Sequence, residues 1–280
     1  CAPARCRSRQ LFKLGGNVVG AVMSKAFLGE ARQGSEAYKT RVNSQGGVCG
    51  STLTSKYVDD GWKADTGKQN LENLINEEKV FAIAVSPSSE GVNAASRAGV
   101  FQKAGVPVVG TDGLDASQYK DPYIWPVAAA TVTTLHVMMQ KAWDAGARNP
   151  AIVFDSAYKF GTEGANAFEK AYERLSGGKT IDGAGGQSCP AGKRYCGISA
   201  DIPQYGNEVS IINNACNVAP KCDYLVLLLE PDTAQQWMAT PGAPTAGQFK
   251  GGKGAAPPRI TYSVGTRWRA TFKRRKVWPC

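Results

Sequence analysis

The feature that most constrains this chain is a repeated alternation of short apolar runs with amphipathic segments. The first unit is predicted as a strand at residues 17–24, a polar loop, a helix that begins near Gly29, and a strand that ends at Asp59-Asp60. The helix prediction rests on a three- and four-residue spacing that puts small and apolar groups on one face, with the cationic Arg41 among them: Ala31, Gly34, Ala37, Tyr38, Arg41 and Val42. The tandem glycine Gly46-Gly47 then supplies the helix stop. This order of elements is typical of a parallel sheet in an α/β fold.

The same alternation continues along the chain. Helices are predicted at residues 65–78, from the serine loop 86–89 to 104, and at 131–145, 161–175 and 206–217; strands are predicted at 80–85, 106–110, 150–155, 223–230 and 260–263. Residues 177–198 are predicted as a loop that carries cysteines. Two βα halves fit 280 residues better than one domain does. The predicted divisions are a basic tail at 1–16, a first lobe at 17–124, a second lobe at 125–265 and a basic tail at 266–280.

Several phrases carry a family resemblance through their order and spacing. They are GEARQGSEAYKTRVNSQGGVCG, YVDDG, VFAIAV, KAGVPVVGT, PYIWPV, AIVFDSAYKFGTEGANAF and DYLVLLLEPDTAQQW. Over residues 17–265 they resemble the type I periplasmic binding proteins, and most of all the branched-chain amino acid class of ABC-transporter solute receptors. The resemblance implies a three-layer αβα clamshell of two Rossmann-like lobes. Family chains return to the first lobe after the equivalent of Ser263, so the first lobe is expected to be incomplete here.

Ligand contacts are expected in the loops that follow the strands. In open α/β sheets, ligands bind outside the carboxyl ends of the strands, where the free amides and the dipole of a helix N-terminus suit a carboxylate. The predicted loops are 24–28, 86–89 and 110–113 in the first lobe, with 158–161, 230–232 and Ser263 in the second. In the first of these loops, Ser24 and Phe27 are the predicted contacts.

The resemblance assigns roles to individual residues of these loops. Ser86, Ser88 or Ser89 would hold a ligand carboxylate with Thr111, and Asp112 belongs to the same predicted site. The alternative for Ser88 or Ser89 is a helix cap, which serine favours with or without a ligand.

The second lobe would supply an acid and an aromatic ring. Glu230 or Asp232 would form a charge-assisted hydrogen bond with a ligand ammonium group. The alternative is a solvated acid in the first turn of a helix. Tyr158 or Phe160 would cover the ligand, and the alternative for an aromatic residue there is core packing.

Residues for catalysis or cofactor binding are scarce. His136 is the only histidine and lies in a predicted helix, away from the strand-end loops. The glycine-rich phrases GGNVVG and GAGGQ lack the lysine of a P-loop and the spacing of a dinucleotide fingerprint. No second acidic cluster accompanies Asp59 and Asp60 as metal ligands. The chain is therefore predicted not to be an enzyme and to hold neither a metal nor a cofactor.

Cysteine spacing indicates the cellular compartment. Cys189 and Cys196 flank PAGKRY, and Cys216 and Cys222 flank NVAPK; neither spacing matches a zinc knuckle. These four residues are therefore predicted to form local disulfides in an oxidising space. Cys6, Cys49 and Cys280 are interpreted as candidates for free thiols. Cys1 either marks a mature bacterial lipoprotein that is lipidated at that residue or is an arbitrary start of the chain.

The charge lies at the two ends of the chain. The formal net charge is +10, but residues 1–13 contain four basic residues and residues 266–280 contain six, with no acidic residue in either stretch. Removing these ten from the 33 lysines and arginines leaves 23, which equals the number of acidic residues. The body is neutral, so a nucleic-acid partner is not predicted. The basic ends could still touch an anionic membrane surface.

Together these features predict an extracytoplasmic receptor of an ABC transporter. The lobes would capture an amino acid or a related small carboxylate by hinge closure, and the permease would recognise the closed form. Three alternatives are a ligand-sensing regulatory domain of the same clamshell fold, an α/β enzyme, and a truncated remnant that does not bind a ligand.

Overall fold

A computed structural model describes residues 12–18, 30–181, 189, 191–199, 205–244 and 260–262 of the chain. The strands are β1 Phe12–Val18, β2 Leu53–Asp59, β3 Ala82–Ser86, β4 Val108–Thr111, β5 Ile124–Pro126, β6 Pro150–Asp155, β7 Tyr195–Ile198, β8 Tyr224–Leu228 and β9 Ile260–Tyr262. The helices are α1 Glu30–Ser44, α2 Ala64–Asn76, α3 Ser89–Arg97, α4 Val100–Ala104, α5 Thr131–Asp144, α6 Lys159–Ser176, α7 Gly206–Asn217 and α8 Pro231–Ala239. The tail at 266–280 lies outside the described residues.

The strands form two parallel sheets. The first has the order β2-β1-β3-β4-β5, and the second has the order β7-β6-β8-β9. In both, the chain leaves one strand, forms a helix and returns to a parallel neighbour, which places all the strand-end loops of a sheet at one edge. The predicted two-lobed α/β fold is confirmed.

The first sheet packs against α2, α3 and α4. Leu71, Leu74 and Ile75 of α2 are buried, as their spacing predicts, and they join Ile83 and Val108 of the sheet in one hydrophobic cluster. Gly15 of β1 lies under this helix. A Cβ atom there would stand 3.0 Å from a methyl carbon of Val80 and 3.2 Å from one of Leu74, so glycine allows the close packing.

The second sheet is covered on both faces. One cluster joins α5 and α6 to the sheet through residues such as Leu135, Phe168 and Leu228. The other joins α7 and α8 to the opposite face and includes Ile212 and Trp237. All strand residues of β6 and β8 are buried, which explains why both read as continuous apolar runs.

The predicted first strand is displaced in the structure. It was predicted at residues 17–24, whereas β1 is Phe12–Val18 and therefore begins inside the stretch assigned to the basic tail. It pairs with β2 from Phe12↔Leu53 to Val18↔Asp59. The error arises because glycines and a lysine interrupt the apolar pattern here, although Gly15 is buried and Lys13 forms an ion pair with Glu78.

The first helix is present, but its predicted inner face is wrong. Tyr38 is 66% exposed, and Gly34, Ala37 and Arg41 are exposed too. Polar residues of α1 contact β2 instead. Asn43 exchanges hydrogen bonds of 2.8 and 2.9 Å with the backbone of Leu53, and Lys39 donates to Ser55 at 2.7 Å. Helical periodicity locates the helix, but it misses a face that docks through hydrogen bonds.

Three further details differ from the predictions. The helix predicted to run to residue 104 divides into α3 and α4 because Gly99 adopts a left-handed backbone with φ of 70°. The predicted cysteine loop contains β7, a fully buried strand. Residues 124–126 form β5 beside β4, although no strand was predicted there.

The two local disulfides are confirmed as Cys189–Cys196 and Cys216–Cys222. Cys49 is also disulfide-bonded, so its interpretation as a free thiol is wrong. Of the helices in the described residues, none combines the length and the apolar composition needed to cross a membrane.

Candidate ligand site between the lobes

Two hydroxyl groups lie side by side at the carboxyl edge of the first sheet. Ser86 ends β3 and Thr111 ends β4, and the two residues are register partners. Both are fully buried, yet neither hydroxyl has a hydrogen-bond partner in the described part of the chain. Buried hydroxyls are normally paired, because leaving one unpaired costs about 1–3 kcal/mol. The pair is therefore suited to bind a polar group from a ligand.

The backbone beside these hydroxyls is strained. Val85 has φ of 59°, which is a rare conformation for a β-branched residue. The opposing residue in β4 is Gly110, with φ of 85°, and the register passes from Ala84↔Val109 directly to Ser86↔Thr111. Strain of this kind is typical of functional sites, where the surrounding fold holds it in place. Here it lies directly before Ser86 and Thr111 in the sequence.

The other two serines of this loop bond within the first lobe. Ser88 stands at the N-cap position of α3, but its hydroxyl donates to the carboxylate of Asp60 and makes no capping bond. The amide of Ser89 donates to Asp112 at 3.1 Å. Side-chain capping by Ser88, the alternative role, is therefore wrong.

Asp112 organises the loop after β4. It is half-buried and accepts hydrogen bonds from Leu114 at 3.2 Å and from Gln118 at 3.0 Å, besides that from Ser89. Burial raises its pKa, while these bonds oppose the rise. The structure thus places Asp112 next to the predicted carboxylate site, in a role that also holds the loop together.

Glu230 is the buried acid of the second lobe. It follows β8, stands at the N-cap position of α8 and is 8% exposed. Burial, and to a smaller extent the charges of Asp155, Asp112 and Asp232, raises its pKa to about 8. Asp112 belongs to the first lobe and follows Thr111, so Glu230 of the second lobe lies near enough to that lobe for the charge of Asp112 to act on it. Asp232 is partly exposed in the first turn of α8.

Of the two aromatic candidates, only Tyr158 lies at the lobe boundary. Its ring packs 5.8 Å from that of Trp62 in the first lobe. Phe160 is 3% exposed and belongs to the core of the second lobe, where its ring stacks beneath Tyr158 at 6.3 Å. The alternative of core packing thus describes Phe160.

The N-terminus of α6 attaches the second lobe to the first. The ammonium group of Lys159 lies 3.2 Å from the carboxylate of the buried Asp115, and the amide of Ala116 donates to Glu163 at 3.2 Å. Lys159 also donates a backbone hydrogen bond to Glu90. The first residues of α6 can come this close to β6 because Gly161 has no side chain. A Cβ atom there would stand 1.8 Å from the carbonyl oxygen of Asp155.

Sequence reasoning missed several residues at this boundary, of which Trp62 is the most informative. Trp62 follows β2 directly, so the rule that selects loops after strands would have found it. The contacts of Lys159, Asp115 and Glu163 had no sequence signal, because they join segments more than forty residues apart.

Ser24, Phe27, Ser263 and Cys1 lie outside the described residues, and their roles stay predictions. Within the described ranges, no group of three or more histidine, cysteine, aspartate or glutamate residues is placed to hold a metal ion.

Two parallel sheets that contact each other through residues after their strands are typical of two-lobed α/β clamshell proteins. Comparison with protein families then gives the particular family. The model described as periplasmic binding protein matches residues 21–192, which is more than half of the 280 residues. The chain therefore belongs to the periplasmic binding protein family, as its motifs predict. A comparison with curated proteins finds no match.

Solved structures share the fold at low sequence identity. A substrate-binding periplasmic protein from Ralstonia solanacearum has 18% identity and a TM-score of 0.68, over 80% of this chain and 58% of that one. A branched-chain amino acid transporter substrate-binding protein from Streptococcus pneumoniae, in complex with isoleucine, has 16% identity and a TM-score of 0.63, over 78% and 57%. A solute-binding protein from R. palustris, in complex with 4-hydroxybenzoate, has 20% identity and a TM-score of 0.63, over 79% and 54%. The present chain thus spans between 54% and 58% of the length of these proteins.

Proposed function

We propose that this protein is an extracytoplasmic solute receptor that captures an amino acid between its lobes and delivers it to an ABC permease. The observation that carries the proposal is the pair of unpaired, buried hydroxyls of Ser86 and Thr111, and the buried acid Glu230, on which the charge of the neighbouring Asp112 acts, supports it. Hydroxyls at strand ends bind a carboxylate, and an acid opposite them binds an ammonium group. A free amino acid carries both groups.

The acid also argues against a ligand with a carboxylate alone. Solved relatives hold isoleucine in one case and 4-hydroxybenzoate in another. In this chain, Asp112, Asp155 and Glu230 lie near one another at the cleft. An aromatic acid such as 4-hydroxybenzoate has no cation to pair with these carboxyl groups, whereas an amino acid has an ammonium group that can do so.

Other features support the cellular role. The two local disulfides agree with an oxidising compartment. Membership of the periplasmic binding protein family supports an extracytoplasmic location and a permease as partner. The cleft acts by binding and closure, without catalysis.

Binding calorimetry with the twenty amino acids and with 4-hydroxybenzoate tests the proposal. At least one amino acid should bind, and Ser86→Ala and Thr111→Val should each weaken it roughly 10-fold to 100-fold, as expected for loss of a hydrogen bond to a charged group. Thr54→Val is the matched control. Its hydroxyl is also buried and unpaired in the described residues, but it lies at the start of β2, at the other end of the sheet. Binding of 4-hydroxybenzoate in place of every amino acid would contradict the proposal.

A further inference from the structure

Trp62 is buried without belonging to a hydrophobic core. It follows β2 and is 5% exposed, yet it is a member of none of the clusters that form the cores of the two lobes. Its aromatic contact is Tyr158, whose ring lies 5.8 Å away at an angle of 58°. Because Tyr158 precedes α6 of the second lobe, Trp62 is buried by the boundary between the lobes.

The indole N–H of Trp62 has no acceptor in the part of the chain that the structure describes. A buried indole N–H usually finds a partner. An unpaired indole does not by itself mark a site, since Trp237 has one too. Trp237, however, lies inside the apolar core of the second lobe, whereas Trp62 packs on Tyr158 at the boundary between the lobes.

The loop that carries Trp62 is attached to the serine loop. Asp60 accepts a hydrogen bond from the hydroxyl of Ser88 and, through its other oxygen, one of 3.1 Å from the backbone amide of Trp62. Asp60 is 1% exposed, so this connection is itself buried. The indole is thus positioned by the same residue that orients the loop after β3.

The position of Trp62 in the sheet separates it from the carboxylate site. In the order β2-β1-β3, the strand before Trp62 and the strand that ends at Ser86 are two strand spacings apart, or about 10 Å. A carboxylate held by Ser86 and Thr111 is too small to span that separation. The indole N–H is therefore available to another part of the ligand.

We propose that Trp62 determines side-chain selectivity, because its indole N–H donates a hydrogen bond to an oxygen acceptor on the ligand's side chain. This inference rests on the proposed function and adds to it the class of amino acid. Amino acids with a hydroxyl or carbonyl oxygen in the side chain are preferred over aliphatic ones of the same shape. The ring of Trp62, packed on Tyr158, forms the wall beside that acceptor.

Calorimetry on the full chain with three shape-matched pairs tests this assignment. The pairs are asparagine and leucine, threonine and valine, and glutamine and methionine. In at least one pair the member with the oxygen should bind roughly fivefold to tenfold more tightly, which is the contribution of one neutral hydrogen bond. Trp62→Phe keeps an aromatic ring but removes the donor, so it should bring that ratio close to one and change the affinity of the aliphatic member little. Trp237→Phe is the matched control and should leave the ratio unchanged.

The outcomes separate this inference from the proposed function. If the native chain binds amino acids but prefers the aliphatic members, or if Trp62→Phe retains the ratio, the role of Trp62 is wrong and the receptor function stands. If Trp62→Phe weakens both members of a pair equally, the ring is structural and the assignment also fails. If the native chain binds no amino acid, both proposals fail.

Discussion

The two lobes stabilise their sheets in different ways. The second sheet lies between two hydrophobic clusters, one formed with α5 and α6 and the other with α7 and α8. The first sheet has one cluster, on the face of α2 to α4, while α1 docks on β2 through polar side chains. Val109, Trp125 and Val127 of the first lobe are between 46% and 76% exposed. In the second lobe, helices therefore cover both faces of the sheet. In the first lobe, most of the hydrophobic packing lies on one face of the sheet.

This difference bears on how the site is held. The second lobe presents Glu230 and Tyr158 from a core of buried strands and long helices, so their positions follow from packing. The first lobe presents Ser86 and Thr111 from strained strand ends, and hydrogen bonds among Asp60, Ser88, Ser89 and Asp112 hold the neighbouring loops. The loop positions in the first lobe therefore depend more on buried hydrogen-bond networks. Losing one partner of such a network costs stability, because a buried polar group is then left unpaired.

The largest expected effect comes from removing one phenylalanine from each core. Phe168 of α6 and Phe101 of α4 are both fully buried. Phe168→Ala should lower the free energy of unfolding by about 3–5 kcal/mol, because the 18-residue helix α6 cannot move into the cavity. Phe101→Ala should cost less, because the five-residue helix α4 can shift. Urea unfolding measured by circular dichroism checks this order. An equal or larger loss of unfolding free energy for Phe101→Ala would contradict the proposed difference in packing between the lobes.

The buried acid of the second lobe should give the ligand-free protein a pH-dependent stability. The pKa of Glu230 is about 8 in the folded chain, against an ordinary value of 4.5, because of burial and the carboxylates of Asp155, Asp112 and Asp232. The folded state then binds this proton more tightly than the unfolded state. The stabilising contribution is present below about pH 4.5 and is lost as the pH rises toward 8, on the order of a few kcal/mol.

Urea titrations between pH 5 and 8 measure this loss. Glu230→Gln should flatten the dependence in this range, whereas Asp232→Asn, at a partly exposed neighbour, should alter it much less. A bound amino acid should reverse the trend, since its ammonium group favours the ionised form of Glu230. A pH dependence that is the same in Glu230→Gln and in the native chain would contradict the assignment.

A third expected effect is opposite in sign in the two lobes. A Cβ atom on Gly164 of α6 would stand 2.5 Å from a methyl carbon of Leu228 and 2.8 Å from one of Thr131. Gly164→Ala should therefore destabilise the protein by about 1–3 kcal/mol through overpacking. Gly34 of α1 meets nothing within 4 Å, so Gly34→Ala should stabilise by about 0.5–1 kcal/mol. Thermal unfolding of the two variants checks the signs. Destabilisation by Gly34→Ala would show that α1 is closely packed, and stabilisation by Gly164→Ala would show that α6 is not.

The smallest expected effect is at the exposed face of the first lobe. Trp125 on the edge strand β5 is 51% exposed. Trp125→Ser should change the free energy of unfolding by no more than about 0.5 kcal/mol and should lower self-association, because it reduces an exposed apolar patch. Urea unfolding and light scattering measure the two quantities. A loss of several kcal/mol would mean that this face is covered in solution.

Much of the fold could be predicted from periodicity, and the errors have identifiable causes. The strand at 150–155 and the helix at 206–217 were predicted with their observed bounds, because an apolar run and a helical pattern end abruptly there. The buried strand Tyr195–Ile198 was missed because it is only four residues long and lies among cysteine-bearing loops. The break at Gly99 was missed because one left-handed glycine can interrupt a helix without a change in pattern.

The candidate site could be predicted only in part. The loops after the strands were predicted as the ligand site, and that assignment stays a prediction, although Tyr158 and Lys159 of one such loop do contact the first lobe. The contacts of individual side chains in these loops depend on partners that are distant in sequence. The hydroxyl of Ser88 bonds to Asp60, Phe160 packs in the core while Tyr158 meets Trp62, and Lys159 pairs with Asp115. None of these pairings has a periodic signature.

The sequence by itself determined the family, the two-lobed α/β architecture and the two local disulfides, because each of these depends on local pattern, order and short spacing. The tertiary structure alone decided which strand-end groups stay unpaired, namely the hydroxyls of Ser86 and Thr111 and the indole N–H of Trp62, within the residues that it describes. The physical reason is that hydrogen-bond satisfaction depends on three-dimensional proximity. Residues far apart in the chain satisfy some polar groups, and the remaining buried groups are available to a ligand.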